Sequence, residues 1–117
     1  MSIAEFLTTV PGFESLTPET VAAVAAEMTL QDVEEGEYLI RRGDPGESMY
    51  IIKTGDFRVP VFDDTGRVRM IAHLGPRDIV GEMALLTGER RRADVIADTP
   101  AEVVVIDRGT MAPLLSE

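Results

Sequence analysis

The sequence predicts a mainly β domain, an antiparallel jelly-roll β-barrel with short flanking α-helices, and three observations carry that expectation. From about Met28 onward, short runs rich in Val, Ile, Tyr and Phe recur, divided by Gly, Pro and Asp, which is the pattern of a barrel or jelly roll. Before Met28 the apolar spacing is helical. One segment, Glu82 to Leu86, favours helix and interrupts the strand series. Length fits a single domain over 1–117: 117 residues with 44% apolar content form one core but not two. Within it, 1–27 is expected to be helical, 28–107 the barrel, and 108–117 the start of a C-terminal helix.

Ser2 followed by Glu5 fits a capping box, with Ile3, Phe6, Leu7 and Val10 on one face and Pro11-Gly12 as the stop. Thr17-Pro18 supplies a second N-cap and first-turn pair for the Ala-rich stretch PETVAAVAAEM. The runs YLIRRGD, SMYIIKTGD, FRVPVFDDTG, RVRMIAHLG, ADVIAD and AEVVVID then read as strands. Gly55-Asp56 and Asp63-Asp64-Thr65-Gly66 offer the positive φ of tight hairpins. Pro60 within its run predicts an edge position or a bulge. Asp107 is placed to cap the last helix.

Composition narrows the function. Eleven Lys plus Arg against 21 Asp plus Glu give 11 − 21 = −10, a charge that repels phosphate backbones and anionic membranes. Neither nucleic acid nor membrane is therefore expected as a partner of this domain. No Cys is present, which excludes disulfides and thiolate metal sites. No secretory leader and no membrane-length apolar run stand out; the expected location is cytoplasmic, or the domain is a cytoplasm-facing part of a larger protein. His73 is the single histidine, too few for a cupin-type metal barrel. No Ser/His/Asp arrangement or phosphate-loop motif appears. The expectation is a binding module with no cofactor, no metal and no catalysis of its own.

The interrupting segment, GEMALLTGERRRADV from Gly81 to Val95, carries the site. Gly81 lacks a Cβ and lets another group approach the backbone. The first N–H groups of a following helix are free to hold an anion. Gly88 ends the segment. Arg91 then heads a run in which Arg91, Ala93, Val95 and Ala97 alternate onto one face, so its guanidinium points inward, where burial requires an anion. Phosphate fits through a bidentate pair. Glu82 beside a phosphate needs donors of its own, and sugar hydroxyls supply them, so Gly81, Glu82 and Arg91 read as a sugar-phosphate site. Met83, Leu85 and Leu86 read as core packing rather than as ligand contacts.

That stretch resembles the phosphate-binding cassette of the cyclic nucleotide-binding domain family, Gly-Glu-(Leu or Met)-Ala-Leu, a short turn, then Arg-Ala-Ala, a small residue and Val. GDPGESMYIIKTGD, Gly43 to Asp56, is similar to the family's Gly-rich turn and Tyr-containing strand. The resemblance implies that Glu82 accepts from the ribose 2′-hydroxyl, that Arg91 pairs with the cyclic phosphate, and that backbone N–H groups near Ala84 and Leu85 complete the cradle. Met83, Arg92 and Ala93 lie within the cassette, and Val59 and Ile71 match strand positions that flank the base. Arg92 replaces a small residue or Thr, the Thr being associated with cGMP preference; it either adds a phosphate contact or crowds the ligand. Arg90 replaces a frequent Pro, and Asp94 a small residue.

The implied function is regulatory: a cyclic mononucleotide, cAMP rather than cGMP, binds and signals to an attached effector or a partner protein. The family's lid helix follows the barrel and would lie beyond Glu117. The alternative is a degenerate domain serving as a protein-interaction scaffold, with no ligand or an atypical one such as a cyclic dinucleotide.

Overall fold

A computed structural model describes residues 2–81 and 88–110. Two helices come first, α1 (Ile3–Leu7) and α2 (Pro18–Ala25), followed by eight strands: β1 (Thr29–Val33), β2 (Tyr38–Ile40), β3 (Ser48–Thr54), β4 (Phe57–Phe62), β5 (Val68–Leu74), β6 (Ile79–Val80), β7 (Val95–Ala97) and β8 (Ala101–Asp107). The strands form two antiparallel four-stranded sheets, ordered β1-β8-β3-β6 and β2-β7-β4-β5. The mainly β class stands, as two sheets packed face to face rather than a closed ring of ladders.

The helix ends follow their caps. Ser2 accepts from the Glu5 N–H at 3.1 Å, and Thr17 from the Thr20 N–H at 3.1 Å. Phe6, Leu7 and Val10 are buried as their spacing requires, although α1 ends at Leu7, before Pro11. Residues 108–110 begin a helical turn, with Asp107 accepting from the Thr110 N–H at 2.8 Å. This hydrogen bond holds the Asp107 carboxyl below the usual carboxylate range.

Strands β3 and β8, at the centre of sheet one, are buried on both faces. Met49, Ile51, Val104 and Ile106 pack against Phe6, Leu7, Val21 and Val24 of the helices. Their alternates Ile52, Ala101 and Val103 face Phe57, Val95 and Ala97 of the second sheet. That explains the unbroken apolar run of β8. Strand β1 escaped the sequence reading because Thr29-Leu30-Gln31-Asp32 is exposed along its length.

Two turn expectations separate here. Gly66 has φ +84° and closes the β4–β5 hairpin. Gly55 has φ +96°, but its turn carries the chain from β3 in one sheet to β4 in the other, so it is a corner and not a hairpin. A Cβ on Gly55 would lie 2.8 Å from the Ala101 Cα, so close backbone approach fixes the corner. Pro60 falls where β4 has left β7: their pairing covers Phe57 and Arg58 only, while β4–β5 pairing runs on to Phe62 with a shift after Val61. The missing N–H therefore breaks no ladder at that edge.

Asp63 organises the hairpin tip, accepting from the Thr65 hydroxyl at 2.6 Å, the Thr65 N–H at 2.9 Å and the Arg67 N–H at 3.1 Å. The Thr65 side chain first, then these N–H groups, hold its carboxyl below the ordinary range. A depressed folded pKa contributes stability above the unfolded carboxylate value, lost as pH falls through the folded one. Asp63→Ala should therefore melt below wild type at neutral pH, with the gap closing in strong acid; a gap independent of pH in paired thermal melts would contradict this.

Candidate ligand site

Among the described residues, Arg91 alone of the charged side chains is buried, at 8% exposure. Its backbone is held by the β2–β3 connection: the Arg91 N–H donates to the Asp44 carbonyl at 2.8 Å, and Gly43 donates back to the Arg91 carbonyl at 2.9 Å. Arg91 was expected to head a strand, yet β7 begins at Val95. The pair of bonds to Gly43 and Asp44, not a ladder with a neighbouring strand, turns the side chain inward.

Two carbonyls receive the guanidinium. Nη1 donates to Gly81 O at 3.0 Å and Nη2 to Ser48 O at 2.6 Å, and Cζ lies 5.9 Å from the Tyr50 ring centroid. Both contacts come from β3, one from the Ser48 backbone carbonyl and the other from the Tyr50 ring. No carboxylate among the described residues lies within ion-pair distance of Arg91. The group is thus a desolvated cation held by neutral oxygens, with more donors in its fork than these two bonds use.

Gly81 has φ +84°, and a Cβ there would overlap Arg91 Nη1 and lie 3.2 Å from Ile40 Cδ1. The group whose approach Gly81 permits is the guanidinium itself. Gly81→Ala is expected to displace Arg91 and to weaken ligand binding by about tenfold or more, equivalent to about 1.4 kcal/mol. Unchanged affinity in a calorimetric titration would overturn that role.

Glu82, Met83, Ala84 and Leu85 lie outside the described residues, as does the short helix expected there; Gly88, expected to end it, has φ +75°. Ala93 is half-buried. Arg92 points outward, 68% exposed, and pairs with Glu89, whose hydrogen bond and charge raise its pKa. Arg90 donates to the Gly43 carbonyl at 2.9 Å, and Asp94 accepts from the Arg42 N–H at 2.7 Å. These departures from the cassette pattern thus serve loop contacts.

Val59 and Ile71 are not brought together. Val59 opposes Ala72 and packs toward the inter-sheet core, whereas Ile71 opposes Pro60 on the other face and is 47% exposed. The inward residues of β5 are Ala72 and Leu74. The carbonyls of Ser48 and Gly81 were beyond sequence reading because a backbone oxygen has no residue identity, and Tyr50 could be placed against Arg91 only with the strand register known. His73 is exposed, with Nδ1 3.9 Å from Asp98, which also pairs with Arg58.

The fold defines the class, a mainly β domain of two antiparallel four-stranded sheets with short helices, in which Arg91 is the one buried charged side chain among the described residues. The model of the cyclic nucleotide-binding domain matches residues 30–117, and the chain belongs to that family. It is 33% identical over 116 residues to a cGMP-dependent protein kinase, isozyme 2 forms cD5/T2, of Drosophila melanogaster, covering 97% of this chain and 12% of the kinase. The regulatory subunit of a cAMP-independent protein kinase A from Trypanosoma cruzi, bound to guanosine, superposes with a TM-score of 0.88 at 28% identity, covering 96% of this chain and 40% of that one. The regulatory domain of Toxoplasma gondii protein kinase A with cAMP gives 0.84 at 30% identity, covering 95% and 42%. The chain spans less than half the length of each of these relatives.

Proposed function

We propose that the domain binds a cyclic mononucleotide, cAMP in preference to cGMP, and that binding is its output signal to an attached effector or a partner protein, without catalysis of its own. The observation that carries this reading is Arg91, 8% exposed and bonded to the carbonyls of Gly81 and Ser48 with no carboxylate among the described residues. The cyclic phosphate supplies the missing anion through the donors that remain. Glu82, by its cassette position, takes the ribose hydroxyl, and the backbone near Ala84 and Leu85 completes the cradle. Val59 and the apolar inner face of β4–β5 flank the base.

The preference for cAMP rests on Arg92, which occupies the position where a Thr accompanies cGMP preference in the family. Arg92 paired outward with Glu89 leaves the phosphate to Arg91. Regulation follows if the ligand binds two states of the cassette unequally, since only differential affinity moves an equilibrium. The reading places the domain in the cytoplasm or as a cytoplasm-facing part of a larger protein; among the described residues no helix is long and apolar enough to cross a membrane.

Calorimetric titration with cAMP and cGMP tests this function. Saturable binding with cAMP tighter is the expected result. Tighter cGMP binding would reverse the preference, and no heat with either would favour the scaffold reading.

A further inference from the structure

Of the seven large apolar side chains left exposed among the described residues, five lie on the β4–β5 hairpin: Val61, Phe62, Val68, Met70 and Ile71. Strand β5 is also the outer strand of its sheet, seven residues long and paired to β4 alone, with its first four residues exposed. A long edge carrying apolar side chains is a template for another strand. Neither a proline nor a covering element protects it among the described residues.

Charge says what fits. In a chain with 21 acidic and 11 basic residues, three cations form ion pairs among the described residues, Lys53 with Glu102, Arg58 with Asp98 and Arg92 with Glu89, while Arg90, Arg91 and Arg108 donate to carbonyls and Arg41 and Arg42 lie over aromatic rings. The Arg67 and Arg69 side chains have no ion-pair partner among the described residues. The run Arg67, Val68, Arg69, Met70 alternates cation with apolar residue. The opposite case is the edge strand β1, which carries Asp32 and runs into Glu34, Glu35 and Glu37.

We propose that the free edge of β5 takes up an extended segment of a partner protein as an added strand, acidic residues meeting Arg67 and Arg69 and apolar residues alternating with them. Main-chain hydrogen bonds supply affinity and the alternating side chains supply selectivity. A second copy of β5 is disfavoured, because antiparallel self-pairing centred on Met70 would make the two Arg69 side chains diagonal neighbours. The proposal stands on the edge and its charge, although Val61 and Met70 share the hairpin face that the proposed function sets beside the base.

The test uses two blocked seven-residue peptides, the length of β5, one alternating Glu with Val and the other Lys with Val, titrated by fluorescence anisotropy. The Glu peptide is expected to bind at least about tenfold tighter, with affinity falling as salt rises. Arg67→Glu/Arg69→Glu, two exposed changes, should reverse the preference while melting like wild type, and the bound Glu peptide should slow amide exchange across Val68–Leu74. Absence of binding, equal binding of both peptides, or concentration-dependent dimerisation that protects the β5 amides without peptide would overturn the proposal. So would a preference unchanged in the double variant.

Discussion

Arg91→Ala is expected to lower affinity for a cyclic nucleotide by about thirtyfold or more while leaving the domain folded. Truncating one partner of a buried, hydrogen-bonded charge pair costs about 2–5 kcal/mol, much of it the penalty of stranding the other charge. Here the stranded charge is the ligand phosphate. In the unliganded domain the balance differs, because the guanidinium is desolvated against neutral carbonyls at Gly81 and Ser48. Removing it relieves a buried charge but orphans two acceptors, and these terms oppose each other. Calorimetry and thermal melting on the same variant separate the two effects. Wild type with ligand at a hundred times Kd should gain about 2.7 kcal/mol of stability, and the variant at that concentration should gain far less. Arg91→Lys should fall between them, since an ammonium keeps the charge but not the planar fork.

Phe57→Ala is expected to be the most damaging change to the fold, costing about 3–5 kcal/mol. Phe57 is fully buried between the sheets and opposes both Leu74 of β5 and Ala97 of β7. It also marks the last stretch where the three strands run together, since β4 leaves β7 after Arg58. A loss of that size is a large share of the roughly 5–15 kcal/mol by which domains are stable. Urea denaturation should show a lower midpoint with an unchanged slope. Ile71→Ala on the exposed outer face is the control and should shift the midpoint little; equal losses at the two positions would contradict the assigned core.

The architecture was legible wherever a local rule decided it. Ser2 and Thr17 cap their helices because short polar side chains before an apolar helical face satisfy free N–H groups, and nothing tertiary competes. Gly66 and Asp63 turn their hairpin for equally local reasons. Sequence reading failed where a third element intervened. Gly55 has the left-handed backbone of a hairpin turn, yet it crosses between sheets where Ala101 approaches so closely that a Cβ would not fit. Strand β1 carries almost no buried side chain, so its period was invisible.

The ligand site shows the same division. Arg91 was legible as a buried cation from its position and apolar neighbours, and Gly81 as a point of close approach. The strand proposed to carry Arg91 was misplaced, because the β2–β3 connection supplies its backbone bonds. Val59 and Ile71 were matched by resemblance to strand positions that flank the base, and pairing sets Val59 opposite Ala72 and Ile71 opposite Pro60, on opposite faces. A one-residue difference in register exchanges the faces of a strand, and no single sequence fixes that register.

The most direct test of the central claim, that Arg91 and the ligand phosphate are partners, is a four-way calorimetric comparison of cAMP and adenosine on wild type and Arg91→Ala. If the guanidinium holds the phosphate, wild type should prefer cAMP strongly, and the variant should bind cAMP no better than adenosine. Adenosine affinity itself should be nearly unchanged between the two proteins, giving a coupling of about 2 kcal/mol or more. Equal losses for both ligands, or cAMP binding that survives in Arg91→Ala, would contradict the account.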